Sequence, residues 1–189
     1  MGLGFGDDAV KTPSLIRRLG RDQRGLAAVE FALLAPLMIL LYFGLVEFCQ
    51  GYMAQKRMGH VASQVADLVA QSDSMTGTQV DDIFMIGGLI MRPFPDAGLS
   101  QRVSSVTRNA SGVVRVDWSR GSGMSPLEKD VVITGIPTGL IGNGESLVMA
   151  EAAYDYRSPA NYLLPGVTKF EQTYYLRPRT VNVVTYSDR

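Results

Sequence analysis

The chain has 189 residues, and its 18 lysine and arginine residues balance its 18 aspartate and glutamate residues. A net charge of zero gives no electrostatic reason to expect a nucleic acid or another polyanion as a partner. With one histidine and one cysteine, the composition excludes a metal site built from several such residues and an intrachain disulfide.

Residues 1–25 are polar, contain glycine and carry an excess of positive charge. Between residues 11 and 24 there are five lysine and arginine residues and one acidic residue, Asp22. The far side of the apolar run that follows opens with only Lys56 and Arg57. Because positively charged flanks stay in the cytoplasm, we expect the N-terminus inside the cell and the C-terminal part outside the membrane.

The run from Leu26 to Phe48 is apolar, and 16 of its residues, Phe31–Val46, follow one another without a charge. At 1.5 Å per residue the run reaches about 35 Å, enough to cross a hydrocarbon core of about 30 Å. A secretory signal would have an apolar region of about 7–15 residues and a small-residue cleavage site. Here Glu47-Phe48-Cys49-Gln50-Gly51 follows instead, so we predict a retained transmembrane helix.

One carboxylate, Glu30, lies inside this run. An acidic residue near the middle of a bilayer costs about 2.5–3.5 kcal/mol on insertion scales, and less near the end of the span. A cut after Gly25 would make Leu26 a new N-terminus, and its positive α-amine would share the apolar zone with the Glu30 carboxylate. Without such a partner, Glu30 would be an interfacial acid that extends to the lipid headgroups.

Other residues of the run have more than one interpretation. Pro36 removes one backbone hydrogen bond, which either gives a functional bend or is simply tolerated, as prolines are in membrane helices. Glu47 is expected to mark the outer interface rather than to be a second pairing site. Cys49 nearby is expected to be a small apolar filler rather than a site of lipidation or of an intermolecular disulfide. Gly44 and Gly51 lie two turns apart on nearly one face, where glycines permit close packing.

The helix is expected to continue beyond the membrane to about Gln71, for a length of about 70 Å. Apolar residues recur there at helical spacing along one face, and polar residues occupy the other faces. The apolar residues are Ala54, Met58, Val61, Ala62, Val65, Leu68 and Val69. Such an amphipathic stretch needs a partner surface.

A second, short helix is expected at Asp81–Met91, ended by Pro93 and Pro95. After residue 99 the apolar period becomes two, which is typical of strands. The predicted strands are Arg102–Thr107, Val113–Ser119, Leu147–Tyr156, Thr168–Leu176 and Thr180–Tyr186, with a hairpin turn at Arg108–Gly112. Val131–Ile133 is a weaker strand candidate beside an irregular, glycine-rich stretch at 134–145.

The predicted fold class is therefore α+β, with a long N-terminal helix, transmembrane and then amphipathic, packed on a small antiparallel sheet. The helix face that should be buried on the sheet consists of Met58, Val61, Val65 and Leu68. The core residues expected from the strand-rich segment are Val103, Val114, Val116, Trp118, Val148, Tyr154, Tyr156 and Val183.

The stretch Arg24-Gly25-Leu26-Ala27-Ala28-Val29-Glu30-Phe31, followed by Leu33-Leu34-Ala35-Pro36, resembles the TadE-like family of minor pilins, or pseudopilins, from tight-adherence (Flp-type, type IV) pilus systems. Three motifs near the end are similar to the C-terminal part of that family: Glu151–Arg157, Leu164-Pro165-Gly166 and Tyr175–Arg179. TadF- and TadG-like proteins share the N-terminal pattern, so the branch within this group stays open.

The resemblance implies a pilin-like prepilin with a basic cytoplasmic leader at residues 1–25, a transmembrane helix with an amphipathic extension at 26–72 and a periplasmic α+β head at 73–189. A prepilin peptidase would cut between Gly25 and Leu26, and Glu30 would pair with the new α-amine of its own or a neighbouring subunit. Pro36 would then be a helix kink that helps extraction into a filament. The implied location is the inner membrane, single-pass, with the mature subunit either incorporated into the pilus or priming its assembly.

The partners implied by the resemblance are the prepilin peptidase, other pilins or pseudopilins, the inner-membrane assembly platform and membrane lipid. No catalytic residue, cofactor or metal is expected. His60 is the sole histidine, no Gly-x-Ser-x-Gly elbow occurs, and Gly135–Gly144 lacks the Lys-Ser/Thr of a phosphate loop. An assembly ATPase elsewhere would supply the energy.

Three short motifs after the long helix also have sequence-based interpretations. Asp81-Asp82 is expected to start a helix rather than to bind calcium, and Asn109-Ala110-Ser111 matches a glycosylation acceptor that means little in a bacterial cell. Arg177-Pro178-Arg179 should shape a surface turn or contact another pilin.

The alternative function is a single-pass membrane receptor or envelope-binding module, which has the same topology and gives Glu30 no role.

Overall fold

The computed structural model describes residues 24–137, 139–159 and 166–188. Residues 1–23, which are most of the predicted leader at 1–25, lie outside the described residues. The chain forms two compact units, Met1–Phe43 and Gly44–Arg189, and we call the second one the head unit.

The longest element is helix α1, Arg24–Ala70, which has 47 residues and contains Pro36. The predicted helix is confirmed, with both ends within two residues of the expected positions. In the N-terminal part of α1 the large apolar side chains are exposed, from Leu26 at 60% to Phe43 at 45%. An 18-residue window of α1 has a mean hydropathy of 2.2 and is only 6% buried, so the helix is long and apolar enough to cross a membrane.

Within the head unit, α1 buries one face. Its buried residues recur every three or four positions, as one stripe of a helix requires. They are Gly44, Glu47, Gly51, Ala54, Met58, Val61, Ala62, Val65, Ala66, Val69 and Ala70. The amphipathic prediction is confirmed, except that Leu68 is half-buried at the edge of the stripe and Val69 takes the interior position.

The head unit also contains a four-stranded antiparallel sheet with the order β3-β2-β4-β5. Its strands are β2 (Leu99–Arg108), β3 (Val114–Ser122), β4 (Ser146–Arg157) and β5 (Val167–Leu176). Four of the strands predicted from alternation are therefore confirmed, as is the turn between β2 and β3. Tyr154 lies opposite Phe170 across β4 and β5, and both rings belong to the core that includes the buried face of α1.

The other face of the sheet is covered by the irregular segment between β3 and β4. A second, smaller cluster forms there from Val106, Val114, Val116, Ile141 and Leu147. The strand candidate Val131–Ile133 makes only an isolated bridge, between Val132 and Arg115, so it covers an edge of the sheet without extending it. Two layers of core thus enclose the sheet, and the expected α+β class is confirmed.

A small parallel sheet that the sequence did not indicate joins the segment after α1 to the C-terminal end of the head unit. Strand β1 (Ser74–Thr76) pairs with β6 (Thr185–Ser187). The strand predicted at Thr180–Tyr186 is wrong over most of its length, because the chain reaches β6 only at residue 185. Without a strand there, two-residue alternation does not apply: Val184 is fully buried and Val183 is only half-buried.

Helix α2 (Gly77–Met91) starts four residues earlier than predicted because a capping box fixes its N-terminus. The Thr76 hydroxyl accepts from the Gln79 amide at 3.3 Å, and the Gln79 side chain accepts from the Thr76 amide at 2.8 Å. Each bond satisfies a donor that the first turn would otherwise leave unpaired. A 3₁₀ turn, Asp96–Gly98, connects the end of this region to β2.

Two adjacent glycines of α2 should respond oppositely to alanine. A Cβ at Gly87 would lie 2.1 Å from Gln101 Oε1 and 3.0 Å from a Val61 methyl group, whereas at Gly88 the nearest atom is 3.6 Å away. Gln101 is 4% exposed and donates to the Phe84 carbonyl, so it cannot yield freely.

We therefore expect Gly87→Ala to destabilise the protein by about 1–3 kcal/mol through overpacking. Gly88→Ala should be neutral or stabilising by about 0.5–1 kcal/mol, since alanine has the higher helix propensity. Urea denaturation of both variants checks this. Equal free energies of unfolding for the two would contradict the packing described here.

Candidate functional site

The predicted processing site lies on the described start of α1. A Cβ placed on Gly25 meets nothing within 4 Å, and Leu26 is 60% exposed. Glu30 is also exposed, and Phe31 beside it is 72% exposed. Among the described residues, no side chain covers Gly25, so the space around it is free.

Helical geometry places Leu26 and Glu30 on one face. Residues four apart are neighbours on a helix, about 6 Å apart along its axis. An α-amine on Leu26 would therefore lie one turn from the Glu30 carboxylate. Pro36 lies inside α1, a turn and a half further on. The arrangement can hold a buried ion pair in an apolar medium, where an unpaired charge is costly.

Glu47 occupies a different environment from Glu30. Its side chain is 1% exposed, on the stripe of α1 that packs in the head unit. Burial is the main reason that the pKa of the Tyr156 hydroxyl is raised, and the nearby charge of Glu47 raises it further. Glu47 was expected to mark the outer membrane interface, and within the head unit its side chain is enclosed by protein. Cys49, two positions on, is exposed.

The Arg177-Pro178-Arg179 motif makes contacts within the chain. Arg179 donates its backbone N–H to the Ala70 carbonyl at 2.8 Å, and its guanidinium pairs with Asp67. Arg177 pairs with Glu145 at 2.9 Å. A cation and an N–H donor at the C-terminal end of α1 satisfy a free carbonyl and oppose the helix dipole. The motif therefore shapes a turn, as one of its two interpretations expected.

A polar network that the sequence did not reveal joins α2, β3 and the C-terminal end. Arg120 forms two hydrogen bonds with Asp81, at 2.8 and 2.6 Å, and donates to the Tyr186 hydroxyl at 3.0 Å. The Tyr186 ring stacks on Trp118, whose indole N–H donates to the Val184 carbonyl at 2.7 Å. Asp81 thus has a structural partner, and it lies in the second turn of α2 rather than at the helix start where it was expected.

The Asp81–Arg120 pair should make stability depend on pH. The hydrogen bonds from the Arg120 guanidinium lower the pKa of the Asp81 carboxyl below its ordinary value of 3.8. The stabilisation is therefore present above that value and is lost as the pH falls through the lowered pKa.

We expect Asp81→Asn to lower the urea midpoint at pH 7 by a small amount, since the pair is partly exposed. The difference from the wild type should shrink as the pH falls below 3.8. Asp82→Asn, at the exposed neighbouring position, is the control and should leave the pH profile unchanged. A difference that stays constant from pH 7 to pH 2 would contradict the assignment.

The described residues contain open grooves. The groove beside α2 measures about 1200 Å³ and has Met85, Leu89, Phe94 and Gln101 among its lining residues. No group of three or more histidine, cysteine, aspartate or glutamate side chains in this part of the chain could hold a metal ion. His60 lies exposed on α1.

Comparison with known proteins gives one match. The family model described as TadE-like protein matches residues 25–67, a segment that starts at Gly25 and lies entirely within α1. The predicted resemblance to the TadE-like pilin family of tight-adherence pilus systems is thereby confirmed over this segment. No curated protein and no solved structure matches the chain.

Proposed function

We propose that this chain is a minor pilin or pseudopilin that is needed to assemble a tight-adherence pilus. The observation that carries the proposal is the TadE-like match, which begins at the glycine where the apolar helix starts. The match associates the chain with such pili, and the exposed apolar part of α1 supplies a membrane anchor. The finer role, with its processing and its partners, is our inference from the residues of α1.

The chain is made as a prepilin in the inner membrane, with its basic leader at residues 1–25 in the cytoplasm and residues 73–189 in the periplasm. A prepilin peptidase cuts after Gly25 and leaves Leu26 as the first residue. Support for this step comes from the unobstructed space around Gly25 and from the basic segment in front of it.

After the cut, the Leu26 α-amine pairs with the Glu30 carboxylate of its own chain or of a neighbouring subunit. Both groups lie on one exposed face of α1, among apolar side chains. In lipid or in a filament core, the two charges of this pair compensate each other, so neither is left unpaired in an apolar medium. Pro36 leaves one carbonyl of the helix without its backbone partner and so allows α1 to bend during extraction. Other pilins and the inner-membrane assembly platform are the partners of the mature subunit.

Processing tests the proposal directly. Gly25→Val should leave the chain at its full length in the native host, because a branched side chain obstructs the peptidase at the cut. The matched control is Gly20→Val, a change at another leader glycine, which should still give the short form. Gel mobility and intact mass distinguish the two forms. A Gly25→Val chain that is shortened like the wild type would contradict cleavage at this position.

A further inference from the structure

The outer face of α1 carries a membrane-interface signature in the head unit. The Phe48 and Tyr52 rings stack with centroids 6.5 Å apart and are 62% and 51% exposed. The Lys56 ammonium lies 5.4 Å from the centre of the Tyr52 ring. Exposed aromatic rings followed by a lysine one turn later are typical of the boundary between lipid and water.

Helix length places this signature at the same boundary. About twenty residues span a hydrocarbon core of about 30 Å, so a span that begins at Leu26 ends near Leu45. The next stretch, Phe48–Lys56, rises about 12 Å and covers the headgroup layer. The aromatic and basic side chains thus fall where their chemistry fits.

The turn after α2 lies beside this level of α1. The Arg57 guanidinium donates to the Ile90 carbonyl at 3.0 Å, and a Cβ on Gly87 would meet Val61, so α2 runs antiparallel to α1. The turn that follows α2 therefore reaches back toward the apolar end of α1. A cavity of about 380 Å³ there is lined by residues of α1, this turn and the end of β4, including Gln50, Met53, Pro93, Phe94, Pro95 and Arg157.

The chemistry of this surface is apolar and positively charged. Phe94 is half-buried between two exposed prolines, and its ring packs edge-on against Tyr156 at 6.1 Å. In residues 48–57 of α1, the turn 92–98 and the end of β4, exposed cations outnumber exposed acids. The cations are Lys56, Arg57, Arg92 and Arg157, and the acids are Asp96 and Asp155; Lys169 and Glu171 pair with each other.

We propose that Tyr52, Lys56, Arg92, Phe94 and Arg157 form a headgroup face that binds anionic phospholipid headgroups and seats the head unit on the membrane surface. The two arginines and the lysine contact phosphate, and Phe94 enters the interface between them. The proposal rests on α1 spanning a membrane, as in the proposed function, and adds a second, charge-dependent contact made by the head unit.

The test uses the full chain in nanodiscs that contain brominated phospholipid, either zwitterionic only or with phosphatidylglycerol added. In the Phe94→Trp variant, brominated lipid should quench the fluorescence of the introduced tryptophan, and the quenching should be stronger when phosphatidylglycerol is present. A tryptophan at Leu140→Trp, an exposed position in the segment between β3 and β4, is the control and should not be quenched. The native Trp118 is 8% exposed and gives the background in every sample.

Charge substitutions complete the test. In the Phe94→Trp background, Arg92→Gln with Arg157→Gln should abolish the extra quenching caused by phosphatidylglycerol, and Arg115→Gln with Lys129→Gln should leave it in place. No quenching of the tryptophan at position 94, equal quenching in both lipids, or a signal that follows the number of chains per disc would each overturn the headgroup face. A chain that does not enter nanodiscs at all would instead contradict the membrane span of the proposed function.

Discussion

A fragment that begins at residue 75 should be unfolded under conditions in which a fragment beginning at residue 52 folds cooperatively. The shorter fragment lacks the buried stripe of α1, whose large apolar members are Met58, Val61, Val65 and Val69. Each such side chain contributes about 1.5–3 kcal/mol when buried, so the four together contribute on the order of 6–12 kcal/mol. That loss is comparable with the whole net stability of a typical domain, about 5–15 kcal/mol.

Circular dichroism and urea denaturation of both fragments measure the effect. A matched pair in the full chain separates packing from chain length: Met58→Ala should cost about 2–5 kcal/mol, and Gln55→Ala, on the exposed side of the same helix, almost nothing. If the fragment from residue 75 were as stable as the one from residue 52, the role of α1 in the core would be wrong.

Substitution of Glu30 by alanine should stop pilus formation without stopping cleavage after Gly25. The proposed cleavage site at Gly25 lies five residues before Glu30, so the peptidase should still recognise it. The mature subunit, however, would carry an uncompensated α-amine at Leu26 in an apolar environment, where an unpaired charge is strongly unfavourable. We therefore expect normal processing and a loss of pili of tenfold or more. A tenfold loss corresponds to a free-energy change of about 1.4 kcal/mol per subunit in assembly.

Two conservative variants show whether charge or shape matters. Glu30→Gln keeps the shape and loses the charge, so it should behave like Glu30→Ala; Glu30→Asp keeps the charge and should retain part of the assembly. Electron microscopy counts the pili, and intact mass reports processing. Normal pili with Glu30→Ala would favour the receptor interpretation, in which Glu30 has no role.

The long helix could be predicted from the sequence because its signals are local. An uncharged run of 16 residues and then an apolar period of three to four residues specify α1 without reference to any other part of the chain. Alternation likewise located β2 to β5, since β2, β3 and β4 have one or both faces buried and β5 largely alternates half-buried with exposed residues. Thr76 and Gln79 also carried a readable capping-box pattern, which would have placed the start of α2 correctly.

The remaining features depend on contacts between residues that are far apart in sequence. Three residues of β6 become a strand only because β1 lies beside them, more than a hundred positions earlier. Arg179 contacts the C-terminal end of α1 across a similar separation. Arg120 of β3 forms an ion pair with Asp81 of α2. No local period encodes such pairings, which is why Val183 rather than Val184 was expected in the core.

Under the proposed function, this chain becomes a pilin by the removal of its leader after Gly25. Intact mass and N-terminal peptide analysis of the protein purified from its native host test it most directly. We expect a mature chain that begins at Leu26, with an α-amine one helical turn from Glu30. A mature chain that begins at Met1 or Gly2 would contradict it.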